Sequence, residues 1–191
     1  MSNFSAYCFP FTRGQEGGFQ RITSDGGNWT GGRPGRGQLI GTNIGISAPT
    51  LADWLGRIPT VAEMEELSPE TAAAIYERDF ATPLSVEQLS PAAALMLFDC
   101  SVQHGVAGTV RIAQGVVGAQ ADGVFGPKSL AAVQAYGDGF IVAMDASFLA
   151  MLKRLGAEWT EFGEEWQRRA DERLAAANGL LHVAQVAGAS V

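Results

Sequence analysis

Ser90-Pro91-Ala92-Ala93-Ala94-Leu95-Met96-Leu97-Phe98-Asp99-Cys100-Ser101-Val102-Gln103-His104-Gly105 reads as a helix that is apolar on nearly every side. Serine suits the capping position, proline the first helical position, and Gly105 stops the run. Leu95, Phe98 and Val102 share one face, while Met96, Leu97 and Cys100 fill the others. A helix with no polar face is a buried, central one. Asp99 inside it needs a partner, because an unpaired buried carboxylate is costly. The chain is therefore expected to be mainly α.

The same punctuation recurs on both sides. Ser68-Pro69-Glu70 opens a helix that runs to Phe80, ahead of Pro83, and Pro49-Thr50-Leu51 opens one ending at Gly56. Thr60 caps a short turn before Glu66. After Gly105, Val106 to Val117 and Lys128 to Tyr136 are helical, with the turn Ala121-Asp122-Gly123-Val124-Phe125-Gly126-Pro127 between them. From Phe140 to Asn178, Met144, Phe148, Met151, Leu155, Trp159, Phe162 and Trp166 recur at three- and four-residue steps as a packing stripe, which Gly156 and Gly163 weaken. The tail from Gly188 reads as frayed. Asn3 to Gln15 is a short helix limited by Pro10. Residues 19 to 47 are too glycine-rich for helix and predict a small β-hairpin or an irregular lobe, with Gln38-Leu39-Ile40 and Ile44-Gly45-Ile46 as the candidate strands.

That lobe starts at Gly14-Gln15-Glu16-Gly17-Gly18-Phe19, where one acid stands between an apolar helix and two glycines. A helix stopping here presents Glu16 at the negative end of its dipole, which favours the protonated carboxyl that a general acid needs. Asp25 follows nine residues later in Ser24-Asp25-Gly26-Gly27-Asn28. Two carboxylates flanking a sugar bond are the usual apparatus of glycoside hydrolysis. Among twenty acidic residues, spacing alone makes that pair weak.

Composition removes several alternatives. The chain has 191 residues, 47% of them hydrophobic, enough for a sizeable core. No run approaches the roughly 18 apolar residues of a membrane span, and residues 1–11 lack the basic region of a signal peptide. Net charge −7 disfavours nucleic acid as a partner. His104 and His182 are far apart and without ligand spacing, so neither a metal site nor a Ser-His-Asp triad is supported. Cys8 and Cys100 read as reduced thiols packed as small apolar groups. No phosphate-binding loop or dinucleotide fingerprint is present.

Glu16-Gly17-Gly18-Phe19, Asp25-Gly26-Gly27 and Thr42-Asn43-Ile44-Gly45-Ile46-Ser47 together resemble the N-terminal signature of glycoside hydrolase family 108. Phe98-Asp99, Gly105, Gln114, Ala121 to Pro127 and Trp166-x-x-Arg169 are similar to the predicted peptidoglycan-binding region that accompanies it. The resemblance implies a lysozyme-like helical fold, with a catalytic region over 1–90 and a wall-binding region over 91–180 packed on it as one body. It implies an N-acetylmuramidase with Glu16 as the acid. A looser similarity to phage lysozymes implies Asp25 as base or stabiliser and Thr42 as the residue holding water. Asn43, Trp29, Gln103 and His104 are the implied glycan contacts. No cofactor or metal is implied. The expected partner is the glycan strand of peptidoglycan, met by a monomer that is made in the cytoplasm, does not insert in membranes, and is released through a holin-like pore. A wall-binding protein without activity, or a chitinase-like enzyme, would share these residues.

Overall fold

In the computed structural model, which describes residues 2–188, the chain is mainly helical and divides into two compact units. One unit is formed by residues 13–77, the other by residues 1–12 and 78–191. In the latter, the N-terminal segment folds onto the central helix: Phe4 lies edge-on to Phe98 at 5.6 Å, and Thr12 Oγ1 donates to Asp99 Oδ1 at 2.8 Å.

The N-terminal helix has a widened turn over Phe4–Cys8, in which the Phe9 N–H donates to the Phe4 carbonyl, and continues as α1, Phe9–Gln15. Pro10 has no N–H to give, and its ring would crowd the carbonyl four residues back. Widening the preceding turn lets the helix pass the proline rather than stop there.

In the unit of residues 13–77, α2 (Ala48–Leu55), α3 (Val61–Glu65) and α4 (Pro69–Tyr76) begin where the sequence signals them. Ser47, Thr60 and Ser68 each accept a hydrogen bond from a first-turn N–H, and Thr60 with Glu63 forms a reciprocal capping box. Arg57 and the Thr60 groups hold the Glu63 carboxyl down to about 2.

The glycine-rich lobe contains isolated antiparallel pairs rather than extended strands: Gln20 with Thr42, Trp29 with Leu39, and Asn43 with Ile46. The expected strand Ile44-Gly45-Ile46 is instead a two-residue turn. Asn43 and Ile46 exchange both backbone hydrogen bonds, at 3.1 and 2.8 Å, around Ile44 (φ 49°) and Gly45 (φ 70°). Two positive φ values in succession make this a type I′ hairpin turn.

The other unit is built around α5, Pro91–His104, whose residues 92 to 101 are all buried. Packed on it are the Phe4–Cys8 segment, α6 (Val106–Val116), α8 (Gly139–Leu152) and α9 (Ala157–Gly188). The same unit contains α7, Pro127–Tyr136, which lies against α8. Met144 and Phe148 are in the core as expected. The second half of the predicted stripe is not: Leu155 and Phe162 are exposed, and Trp159 and Trp166 are half-buried in a surface aromatic cluster. Lys153–Leu155 forms a tighter turn and Gly156 takes φ 61°, so α9 starts with a new helical phase. Its buried seam is Gly163, Ala170, Arg173 and Ala177. The tail beyond Gly188 lies outside the described residues.

Asp99 has the partners its burial requires. Arg169 Nη2 donates to Oδ1 at 2.8 Å and Arg173 Nη1 to Oδ2 at 3.3 Å. Arg173 also donates to Asp145 Oδ1 at 2.9 Å and lies over the Phe148 ring at 5.1 Å. Burial nonetheless raises the Asp145 carboxyl above its ordinary value. A second polar knot fixes the turn before α7. The buried Gln114 amide donates to Asp122 Oδ1, the Val124 carbonyl and Ser129 Oγ, and its oxygen accepts from the Gly123 N–H.

Candidate active site

The residues that carry the candidate chemistry, Glu16, Asp25 and Thr42, all belong to the unit of residues 13–77. Glu16 immediately follows the last residue of α1 and is half-buried. Its carboxyl faces the Ile44-Gly45 turn: a Cβ placed on Gly45 would come within 2.8 Å of Glu16 Oε2 and 2.2 Å of Tyr76 Oη. The two oxygens are therefore separated by no more than the sum of those distances. Tyr76, 1% exposed at the end of α4, donates to the Ile44 carbonyl at 3.2 Å. The turn, the acid and the tyrosine hydroxyl thus meet at one point. Gly45 is the residue that allows it, both by its positive φ and by lacking a Cβ.

Ile44 is a β-branched residue in the left-handed region, where type I′ turns normally place asparagine or glycine. Such a conformation costs on the order of 1–3 kcal/mol and persists when its surroundings over-determine it. The paired Asn43 and Ile46 backbone and the Tyr76 hydrogen bond supply that constraint.

Asp25 caps a short turn, Gly26–Asn28. Its Oδ1 accepts from the Gly27 N–H at 2.8 Å and its Oδ2 from Asn28 Nδ2 at 2.6 Å. Both oxygens are held, so the carboxyl direction is fixed. Asn28 is completely buried, its Oδ1 accepts from the Ile22 N–H, and its carbonyl accepts from the N–H groups of Ile40 and Gly41. It is the hub of the lobe.

Thr42 is placed beside Asp25 by its pairing with Gln20, at 2.8 and 2.9 Å. Measured from a Cβ position on Gly27, Asp25 Oδ1 lies at 3.3 Å and Thr42 Oγ1 at 3.8 Å. The Thr42 hydroxyl is buried and has no hydrogen-bond partner among the described residues. A buried hydroxyl without a partner is costly, so it marks a place for a polar group brought from outside.

The other expected contacts are placed differently. Asn43 is 7% exposed, and its amide nitrogen donates to the Met64 and Glu65 carbonyls at 2.9 and 3.0 Å. Its donor thus ties the turn to the C-terminal end of α3. Trp29 is half-buried with its indole N–H on the Thr23 carbonyl at 2.9 Å, so its ring is oriented from within the lobe. Gln103 and His104 belong to the other unit. Gln103 accepts from Arg173 at 3.0 Å, and exposed His104 lies edge-on to Phe148 at 6.1 Å. Among the described residues no group of His, Cys, Asp and Glu is arranged to hold a metal ion.

The sequence profile of Glycosyl hydrolase 108 matches residues 9–105, a span that contains Glu16, Asp25 and Thr42. Among solved structures, Brucella abortus SagA is similar, at 30% identity and a TM-score of 0.75 over 90% of this chain and 91% of that chain. No curated protein matches the sequence.

Proposed function

Since the chain belongs to the Glycosyl hydrolase 108 family, we propose that it cleaves the β-1,4 bond between N-acetylmuramic acid and N-acetylglucosamine in peptidoglycan, with Glu16 as the general acid. The observation that supports this reading is the seating of the Glu16 carboxyl against the Ile44-Gly45 turn and Tyr76, inside the matched span. Glu16 gives its proton to the glycosidic oxygen as the bond breaks. Asp25, held by the Gly27 N–H and Asn28, faces the positive charge that develops on the sugar ring. Thr42, whose hydroxyl has a vacant hydrogen-bonding capacity, positions the water that completes hydrolysis. Residues 91–180 would hold the wall polymer, and the enzyme would meet its substrate as a monomer after release from the cytoplasm.

The test is turbidity clearing of purified cell walls, with mass spectrometry of the released fragments. Fragments ending in reducing muramic acid support the reading. Glucosamine ends would make the enzyme a chitinase-like glycosidase, ends without a reducing group would replace hydrolysis by internal transfer, and no release would leave a binding protein. Glu16→Gln keeps the shape and removes the proton, so lysis by a folded variant should drop about 10²–10⁴-fold.

A further inference from the structure

In a chain of net charge −7, the stretch from residue 13 to 41 is basic: Arg13, Arg21, Arg33 and Arg36 stand against Glu16 and Asp25. Two of these arginines share one tight turn. The Arg36 N–H donates to the Arg33 carbonyl at 3.0 Å, Pro34 fills the second position, and Gly35 takes φ 75° at the third. Proline followed by a positive-φ glycine defines a type II turn, which brings the first and fourth Cα atoms within about 7 Å. The turn is anchored from below, since the Gly31 N–H donates to the Arg36 carbonyl at 3.1 Å and the Gly32 N–H to the Trp29 carbonyl at 2.9 Å. The Gln38 N–H adds a bond to Thr30 Oγ1 at 2.9 Å. Arg33 and Arg36 are both exposed, and neither guanidinium has a hydrogen-bond or ion-pair partner among the described residues.

The turn also adjoins the candidate site. A Cβ on Gly26, the residue after Asp25, would lie 2.8 Å from the Gly32 carbonyl oxygen and 3.3 Å from Arg33 Cα. The backbone that aims Asp25 is thus in van der Waals contact with the backbone that carries Arg33.

We infer that the Arg33-Pro34-Gly35-Arg36 turn is an oxyanion-binding subsite beside the catalytic carboxyls, and that it takes the carboxylates of the peptide stems on the glycan strand. The inference rests on the peptidoglycan reading above and extends it from the sugar backbone to its substituents. Guanidinium groups match carboxylates in planar, two-pronged geometry, and a turn fixed by proline loses little freedom when it binds. The overall negative charge of the protein repels an anionic polymer, so a local pair of unpaired cations decides which part of the strand can approach. Stem carboxylates are attached to the muramic acid, the sugar whose bond is proposed to break, which places the anion near the reacting centre.

The test compares kcat/KM on cell walls bearing peptide stems with kcat/KM on the same walls after their stem carboxylates have been converted to neutral amides. Arg33→Gln combined with Arg36→Gln should lower the ratio of the two by about tenfold, the loss of one or two charge-assisted contacts at an exposed site. The wild-type ratio should also fall with added salt, because exposed charges are screened. A ratio unchanged in the double variant overturns the subsite. Repeating the assay on walls stripped of phosphate polymers separates the two oxyanions: a difference that persists supports stem carboxylates, and one that vanishes assigns the turn to phosphate and overturns the carboxylate assignment. If the wild-type protein releases nothing from either wall, the function it rests on fails instead. Co-sedimentation of both proteins with untreated and amidated walls then decides the subsite by binding alone, and equal retention overturns it.

Discussion

Asp99 on α5 and Arg169 on α9, seventy positions apart in the chain, meet at 2.8 Å in the interior of the larger unit. Arg173, one turn further along α9, reaches the other oxygen of the same carboxylate. Removing the carboxylate charge leaves two buried or nearly buried guanidinium groups facing an amide. Asp99→Asn should destabilise the protein by about 3–5 kcal/mol, because an uncompensated buried charge is costly. Urea unfolding followed by circular dichroism measures this. A loss below about 1 kcal/mol, the value of an exposed pair, would show that the cluster is solvated.

Gly45→Ala should reduce wall lysis by about 10²-fold or more, since displacing a catalytic group by about 1 Å has that effect. The added methyl has nowhere to go without moving Tyr76 Oη or the Glu16 carboxyl. The same change strains a left-handed position by roughly 1–2 kcal/mol. Melting temperature separates the two effects: the variant should remain folded at assay temperature while lysis is lost. Normal lysis would show that the turn does not seat the acid.

Cys8 and Cys100 should be silent to thiol reagents in the native protein. Both are fully buried, and burial pushes the Cys100 thiol up to about 12 and Cys8 further still. The thiolate is the reactive form, so at neutral pH reaction waits for unfolding. Labelling with a chromogenic disulfide should proceed at the unfolding rate and accelerate with denaturant. Rapid labelling of either thiol under native conditions would contradict the packing described.

Gln114→Ala should loosen the Asp122–Ser129 segment. One side chain there supplies three donor contacts and one acceptor contact. Loss of a buried amide from such a knot costs about 1–3 kcal/mol in groups left unpaired. Hydrogen exchange should speed up at Gly123 and Val124 while the amides of α5 stay protected. Uniform exchange across the unit would mean that the turn is part of the global core.

What could be read in the sequence was whatever local chemistry decides. Thr60, Ser68 and Ser90 announced their helices because a hydroxyl capping a first-turn N–H is a short-range event. Asp99 announced a hidden partner because its helix was apolar all round. The α9 seam stayed out of sight: Gly163, Ala170 and Ala177 are small and Arg173 is charged, so hydrophobic periodicity pointed to the aromatics on the surface instead. Ile44 and Gly45 read as strand because isoleucine favours β structure, and its left-handed φ is imposed by the Asn43–Ile46 pairing and Tyr76. Nothing local reveals that the Asn43 amide reaches the end of a helix more than twenty residues away.

The charged seam makes the docking of α9 a discrete choice. Two arginines one turn apart address one aspartate, and the second also addresses Asp145. Sliding α9 by a turn would put Arg169 where Arg173 sits and bring Glu165 or Trp166 to the carboxylate. Oily side chains tolerate such slips with modest loss, whereas this arrangement leaves charges stranded at each wrong step. The long C-terminal helix therefore behaves as a key with one permitted insertion depth.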